Sequence, residues 1–219
     1  MIVDNGENLQ KRLVELLVMH MKELLAEQDR VVLGVVGGRS VAAVFTLLRE
    51  AVSDWHRVHI LLLDERLVDY GDVESNFVLL ESVLGDVDGI NLYPVVKDKV
   101  IDGHDQQYTQ LIRELGGSFD ILLLSSGEDG HVASLFPGHP AMDIADKGFV
   151  TIDDSPKPPA CRVTATRPLL ESAKVGFLMV LGESKADALA LYKSDVAVKK
   201  CPAKLIQSLP SYYVFTDII

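Results

Sequence analysis

Short, continuously apolar segments alternate along this chain with longer segments that have the periodicity of helices. Four apolar segments lie at residues 31–36, 58–63, 119–124 and 175–181. The aspartate and glycines around the third favour a strand over a piece of buried helix. Buried strands that alternate with helices indicate a mainly parallel sheet covered on both faces. We therefore predict an α/β fold, with three αβα layers around a Rossmann-like sheet.

The other predicted elements follow from periodicity and from signals at helix ends. Leucines at helical spacing predict an amphipathic helix over residues 7–27. Ser40 is predicted to cap the next helix, and Gly116 and Gly117 are predicted to end another. Further helices are predicted at 41–52, 76–84, 104–115, 168–173, 184–192 and 202–208, and further strands at 93–96, 149–152, 162–166 and 212–216. Since no linker or repeat divides the chain, we predict a single domain over residues 1–219.

Charge and cysteine content argue against several classes of partner. The net charge of −11 disfavours general binding to nucleic acid, whereas a small anion needs only a local group of cations and amides. Cys161 and Cys201 lack the spacing of metal ligands, which predicts free thiols in a reducing compartment, with one disulfide as the alternative. No apolar run approaches the roughly 20 residues of a membrane span, and no signal-peptide pattern begins the chain. We expect a cytoplasmic protein that binds neither nucleic acid nor a membrane.

The segment SGEDGHVASLFPGHP, residues 126–140, follows the third apolar strand directly. A glycine-rich turn there places a histidine at the edge where open α/β sheets bind ligands. His131 carries the side chain whose proton moves most easily near neutral pH, and Asp129 is close enough in sequence to orient its imidazole. The alternative is a structural histidine. His139 lies eight residues away without a further ligand nearby, so we predict no metal site.

The segment GGRS, residues 37–40, lies between a predicted strand and a predicted helix. Glycines let the backbone approach a ligand, and the free N–H groups of a helix N-terminus favour a phosphate. Arg39 and Ser40 can add side-chain contacts. The segment matches neither the P-loop nor the dinucleotide pattern, and the alternative is an ordinary turn with a serine cap.

Basic residues at two further places are candidate anion ligands. Arg66 ends the triplet that begins with Asp64, directly after a predicted strand, and a guanidinium binds phosphate or carboxylate with two hydrogen bonds. Lys157 lies in the proline-rich loop 155–159, and Arg162 follows it. The alternatives are a solvated turn and ordinary surface side chains.

Four segments in this order resemble the 6-phosphogluconolactonases, which lie within the larger grouping of glucosamine-6-phosphate isomerases and deaminases. The resemblance rests on GGRS at 37–40, LDERLV at 63–68 with ESNF at 74–77, GEDGHVASLFPG at 127–138, and SPKPP at 155–159 with RVT at 162–164. Two departures stand out: Ser125-Ser126-Gly127 replaces a Gly-x-Gly, and Val132 replaces a threonine.

The resemblance also separates two activities. The deaminases follow Asp-Gly-His with Ile-Ala-Phe-Asn-Glu-Pro, whose glutamate assists ring opening, and they have tyrosine where this chain has Arg66. Here Ser134-Leu135-Phe136-Pro137 contains no acidic residue. Both differences favour lactone hydrolysis.

The implied reaction converts 6-phospho-D-glucono-1,5-lactone to 6-phospho-D-gluconate without a metal or cofactor. His131 is implied as the general acid and base, supported by Asp129, while the N–H groups of the glycine-rich turn face the oxyanion. Arg66 is implied at either the oxyanion or the phosphate, and the sequence does not decide which cation takes which place. The substrate and its phosphate are expected to contact Gly38, Arg39, Ser40, Asp64, Gly130, Lys157 and Arg162. The alternatives are a sugar-phosphate sensor without catalysis, a deaminase-like isomerase and an inactive relative. We expect a monomer or a weak homodimer.

Overall fold

The computed structural model describes residues 1–4, 6–100 and 102–218, without the side chain of Arg39. These residues form, in chain order, β1 (Ile2–Val3), α1 (Gly6–Glu27), β2 (Val31–Val35), α2 (Arg39–Ala51), β3 (Val58–Leu62), β4 (Asp64–Arg66), α3 (Asn76–Leu84), β5 (Asn91–Tyr93), α4 (His104–Glu114), β6 (Ile121–Ser125), β7 (Phe149–Ile152), β8 (Arg162–Ala165), α5 (Arg167–Leu170), β9 (Val175–Val180), α6 (Ala186–Lys193) and β10 (Ser211–Thr216). Short 3₁₀ helices lie at Trp55–Arg57, Pro140–Asp143, Glu183–Lys185, Val198–Lys200 and Pro202–Ser208.

The larger sheet has seven strands in the order β1-β10-β9-β6-β2-β3-β5, and neighbouring strands run parallel. Its central strands are buried along nearly their whole length, which explains why the sequence reads as continuous apolar segments there. α1 packs on α2, and α2 packs on α3. With the right-handed crossovers that are usual between parallel strands, the strand order puts these three helices on one face of the sheet and α4 and α6 on the other. The predicted α/β fold with a mainly parallel sheet is confirmed.

A second, antiparallel sheet has the order β4-β8-β7 and was not predicted. Leu63 joins the two sheets: its N–H donates to the Val35 carbonyl at 2.7 Å, and its own carbonyl accepts from Ala165 at 2.7 Å. In the register of this sheet Asp64 faces Thr164, and Arg66 faces Arg162. The Asp-Glu-Arg triplet is therefore a strand and not a solvated turn.

Several predicted boundaries need correction. Ser40 does not cap α2, because the helix already begins at Arg39, with Gly38 at the cap position and no side-chain cap bond. The strand predicted at 93–96 lies at Asn91–Tyr93. The helix predicted at 202–208 is a 3₁₀ helix, and the one predicted at 184–192 begins with another 3₁₀ turn. Elsewhere the predicted and observed elements overlap closely.

Cys161 is exposed and Cys201 is buried, and both are free thiols, so the alternative of a disulfide is wrong. Within the described ranges, no helix has both the length and the apolar character needed to cross a membrane. The extent of the domain, residues 1–219, stays a prediction.

Candidate active site

A cleft of about 360 Å³ lies at the carboxyl ends of four neighbouring strands, β3, β2, β6 and β9. This is the edge at which open α/β sheets bind ligands. The second sheet and loop 155–159 close one side. Residues lining the cleft are Val36, Gly37, Gly38, Ser40, Asp64, Arg66, Asn76, Ser125, Ser126, Gly127, Glu128, His131, Ala133, Lys157, Arg162 and Lys185.

His131 and Asp129 form a close pair at this cleft. Nδ1 of His131 lies 2.5 Å from Oδ1 of Asp129, and the His131 backbone N–H also donates to this oxygen at 3.3 Å. Burial raises the pKa of the Asp129 carboxyl, but the hydrogen bond and charge of His131, aided by Lys157, outweigh burial and hold this pKa well below its usual value. An ionised carboxylate only accepts hydrogen bonds, so Nδ1 carries a proton, and in the neutral imidazole the lone pair is on Nε2.

The turn that carries His131 depends on glycine. A Cβ atom built on Gly127 would lie 2.0 Å from Nδ1 of His131, so the imidazole packs directly on backbone. Gly130 has φ of 83°, a conformation that a side chain disfavours, and it packs against Cys201. On its other side the imidazole contacts the Phe136 ring, with ring centroids 4.7 Å apart. These contacts fix the orientation of the imidazole in the cleft.

Several N–H groups of the turn already donate to the protein itself. Ser126 donates to the Met179 carbonyl at 2.9 Å, Gly127 to the His131 carbonyl at 2.8 Å, and Gly130 to the Gly127 carbonyl at 3.1 Å. The prediction that the N–H groups of the glycine-rich turn face an oxyanion is therefore wrong for these three. They stabilise the turn instead.

The N-terminus of α2 contributes a second group of polar atoms. The Ser40 and Ser125 hydroxyl oxygens lie 3.2 Å apart, and the Lys185 ammonium donates to the Ser125 oxygen at 3.2 Å. Burial lowers the pKa of Lys185, an effect that the charge of Glu128 opposes. The N–H groups of Gly38 and Ser40 form no hydrogen bond with another described residue, as expected for the first turn of a helix. This end of the cleft combines free amides, hydroxyls and a cation.

Arg66 extends into the cleft from β4. Its Nη1 donates to the Glu74 carbonyl at 2.7 Å, and its Nε is buried without a hydrogen-bond partner. The neighbouring Glu65 is turned away and buried, where it accepts hydrogen bonds from Asn76 and Phe77 at the start of α3. Burial raises the pKa of Glu65 above its usual value, and these hydrogen bonds offset only part of that rise. Glu65 thus ties β4 to α3 and holds the strand on which Arg66 lies.

Arg162 holds the loop that carries Lys157. Its Nε donates to the Pro159 carbonyl at 3.0 Å, and its Nη2 donates to the carbonyls of Lys157 and Pro158 at 3.1 and 3.2 Å. Its Nη1 lies 3.8 Å from Oδ2 of Asp64. The Lys157 ammonium lies 3.9 Å from Oδ1 of Asp129, next to the imidazole.

Comparison with known proteins now decides the family. A sequence profile of the glucosamine-6-phosphate isomerases/6-phosphogluconolactonase family matches residues 4–213. The chain belongs to this family. Human 6-phosphogluconolactonase is 33% identical over 202 residues, which cover 84% of this chain and 76% of the human protein. The 6-phosphogluconolactonase of Borreliella burgdorferi is 30% identical over 197 residues, which cover 85% and 83%. The aligned part of the chain spans 62% of the length of two rice relatives.

Solved structures of the family share the fold. The crystal structure of a 6-phosphogluconolactonase from Thermotoga maritima has a TM-score of 0.87 and 28% sequence identity, over 98% of this chain and 96% of that one. A structure described as a monomeric glucosamine-6-phosphate deaminase has a TM-score of 0.79 at 21% identity. The fold is thus common to both named activities of the family, and the site has to distinguish them.

The structure brings most of the predicted site residues of this family member together. His131, Arg66, Gly38, Ser40, Asp64, Lys157 and Arg162 all line the cleft. Asp129 is bonded to His131, and Gly130 shapes the turn behind it. The side chain of Arg39 lies outside the described part of the structure. The roles of all these residues in binding or catalysis stay predictions.

Sequence reasoning missed Lys185 and Ser125 as site residues. Lys185 follows β9, and the carboxyl end of that strand reaches the cleft like the ends of β2 and β6. The signal was present, because residues 175–181 were predicted as a parallel strand followed by a helix. Ser125 departs from the family pattern, and the sequence did not predict it as a ligand of the substrate. Among the described residues no group of three or more histidine, cysteine or acidic side chains could hold a metal ion.

Proposed function

We propose that this protein is an enzyme, a 6-phosphogluconolactonase, that hydrolyses 6-phospho-D-glucono-1,5-lactone to 6-phospho-D-gluconate without a metal ion. The observation that carries the proposal is the orientation of His131. Its Nδ1 forms a hydrogen bond with Asp129, and its ring lines the cleft. Within the described residues Nε2 has no hydrogen-bond partner, so it is available to a water molecule or a substrate.

His131 acts first as a general base in the proposed reaction. Nε2 takes a proton from water while the water oxygen attacks the lactone carbonyl, which gives a tetrahedral oxyanion and an imidazolium. The imidazolium then delivers this proton to the ring oxygen as the C–O bond breaks, and the acid and the hydroxyl of the product form. Such acid–base catalysis contributes about 10²–10⁴-fold to the rate. Asp129 stabilises the imidazolium and keeps the proton on Nδ1.

The cations of the cleft have two further proposed roles, which are to stabilise the oxyanion and to bind the phosphate. Arg66 is the proposed partner of the oxyanion, since it lines the cleft and, of its two terminal nitrogens, only Nη1 forms a hydrogen bond or ion pair with another described residue. The phosphate is proposed to lie at the N-terminus of α2, on the N–H groups of Gly38 and Ser40 and beside Lys185. Lys157 lies next to Asp129, so we place it nearer the reacting carbonyl than the phosphate.

The structure around Ser134 supports hydrolysis over deamination. In the deaminases a glutamate assists ring opening in the segment that here reads Ser134-Leu135-Phe136-Pro137. Ser134 is fully buried and donates to Oδ2 of Asp64 at 2.7 Å, so this segment supplies a structural hydrogen bond and no acid. Glu128 also lines the cleft, so it is the acidic residue to test for the role that the glutamate has in the deaminases. Release of ammonia from glucosamine 6-phosphate would identify a deaminase instead.

A coupled assay tests the proposal. Glucose-6-phosphate dehydrogenase generates the lactone, and its disappearance is followed with and without this protein after subtraction of spontaneous hydrolysis. We expect a clear acceleration, and EDTA should leave it unchanged. A disappearance rate equal to the spontaneous one would contradict the enzyme and favour a binding protein or an inactive relative.

We also propose a cytoplasmic location for this protein. We further propose that it is a monomer or a weak homodimer, and size-exclusion chromatography can test this oligomeric state.

A further inference from the structure

We propose that Ser125 is a specificity-determining residue, which positions Lys185 and Ser40 so that the cleft selects phosphorylated over unphosphorylated ligands. The inference deepens the proposed function and rests on its phosphate subsite. It concerns a hydroxyl that would touch no reacting atom. Ser125 is therefore a positioning residue, not a catalytic one.

Hydrogen bonds connect Ser125 to Lys185 on one side and to Ser40 on the other. An ammonium group donates and never accepts, so Lys185 donates to the Ser125 oxygen at 3.2 Å. The Ser40 and Ser125 oxygens also lie 3.2 Å apart; either hydroxyl can donate in this contact, and we take Ser125 as the donor. In this order Ser40 keeps its proton for a ligand, and the ammonium of Lys185 keeps two more. Ser125 thereby directs two separate donors into the cleft.

The position of Ser125 at the end of a central strand explains why it contacts both Ser40 and Lys185. It is the last residue of β6, in register with Met179 on β9, and β6 lies between β9 and β2 in the sheet. The chain segments that follow β2 and β9 carry Ser40 and Lys185. A side chain at the end of the middle strand is thus the one that reaches both. The negative charge of Glu128 also acts on Lys185 and opposes the effect of burial on its pKa.

The chemistry of the two donors indicates the ligand class. A phosphate monoester carries oxygens that accept several charged or neutral hydrogen bonds at once, and the N–H groups of Gly38 and Ser40 add to them. A sugar lactone without phosphate offers only a neutral hydroxyl at this place. The positioned ammonium of Lys185 would gain little from that hydroxyl, so the loss of Ser125 should affect phosphorylated ligands selectively.

Titration calorimetry with inorganic phosphate and with 6-phosphogluconate tests the inference directly. Ser125→Ala keeps the Cβ atom and removes only the hydroxyl. We expect both ligands to bind about tenfold more weakly, the size of one lost hydrogen bond to a charged group. Ser82→Ala is the control, because its hydroxyl donates to the Leu79 carbonyl at 2.7 Å on α3 and Ser82 does not line the cleft. Its phosphate affinity should equal that of the wild type.

A second background separates positioning from direct contact. Ser125→Ala raises the Kd for 6-phosphogluconate by some factor in the wild type and by another factor in a Lys185→Met chain. If Ser125 acts through Lys185, the second factor should be at least threefold smaller than the first. An undiminished effect would show that Ser125 does not act through Lys185 and would overturn its role in positioning this cation. Unchanged or tighter phosphate binding by Ser125→Ala would overturn the whole inference. Circular dichroism and thermal unfolding confirm that each variant is folded.

Kinetics keep this inference distinct from the proposed function. Ser125→Ala should raise KM for the phosphorylated lactone about tenfold with kcat nearly unchanged, and leave turnover of glucono-1,5-lactone unaltered. A wild-type chain that binds phosphate through Ser125 but does not hydrolyse lactone would contradict the enzyme and support the inference. A chain that hydrolyses lactone but binds neither phosphate nor 6-phosphogluconate would do the reverse.

Discussion

Asp129 holds His131 through one carboxylate oxygen, which lies 2.5 Å from Nδ1 of the imidazole. The same oxygen lies 3.9 Å from the ammonium of Lys157. This arrangement assigns the tautomer of His131, since an ionised carboxylate leaves Nδ1 as the donor and Nε2 as the base. The proposed mechanism depends on this relationship.

Asp129→Asn should reduce kcat for lactone hydrolysis about 100-fold, within the usual contribution of acid–base catalysis. The amide keeps the shape of the side chain but neither stabilises an imidazolium nor enforces the tautomer. Asp54→Asn is a matched control, because Asp54 pairs with His56 at 2.9 Å away from the cleft. We expect this control to retain its activity. Equal losses in both variants would mean that the effect is not specific to the His131 pair.

The low pKa of Asp129 also predicts a dependence of stability on pH. A carboxyl whose folded pKa is below its unfolded value of about 3.9 adds stability above that pH, and this contribution is lost as pH falls through the folded pKa. The contribution is modest because 39% of the side chain is exposed. Urea unfolding of the wild type and Asp129→Asn should therefore differ more at pH 6 than at pH 2. A difference independent of pH would contradict the shifted pKa.

The position of the His131 ring depends on Gly127. Gly127→Ala places a methyl group 2.0 Å from Nδ1 of His131, so the ring or the turn has to move. We expect about 1–3 kcal/mol of lost stability and at least a 100-fold lower kcat, as is usual for a misplaced catalytic group. Denaturant unfolding and the coupled assay measure the two effects. Wild-type activity in this variant would show that the imidazole tolerates another position.

Much of the main sheet could be predicted because its signals are local. Residues 31–36, 119–124 and 175–181 are apolar throughout since both faces of these strands are buried. The antiparallel sheet could not be predicted in the same way. Residues 64–66 pair with residues 162–164 about a hundred positions later, and no local pattern encodes that partner. Ser40 was predicted as a cap from residue type alone, but the helix begins at Arg39, two residues before the predicted start.

The site was predictable where its residues follow strands. His131 and Arg66 follow the apolar strands β6 and β3 within a few residues, and parallel strands bring such residues to one edge. Lys185 and Ser125 were missed because their contact depends on the pairing of β6 with β9. The N–H groups of the turn were assigned to an oxyanion because the sequence does not show that protein carbonyls already accept their hydrogen bonds.

The two cysteines should differ in reactivity. Cys161 is exposed, whereas Cys201 is fully buried against Gly130, and burial raises the pKa of its thiol. Since the thiolate is the reactive form, Ellman's reagent should label about one thiol per folded chain quickly and the second only after unfolding. Cys161→Ser should remove the fast phase. Two equally fast thiols would contradict the packing behind the turn.

Lactone hydrolysis by the wild type and by His131→Ala tests the central claim most directly. The coupled assay should show strong acceleration by the wild type and a loss of at least about 100-fold in kcat for the variant, with its fold and its phosphate binding intact. His139→Ala, which removes a histidine bonded to Asp154 at 2.8 Å, provides the comparison and should stay active. Full activity of His131→Ala after subtraction of spontaneous hydrolysis would contradict the account.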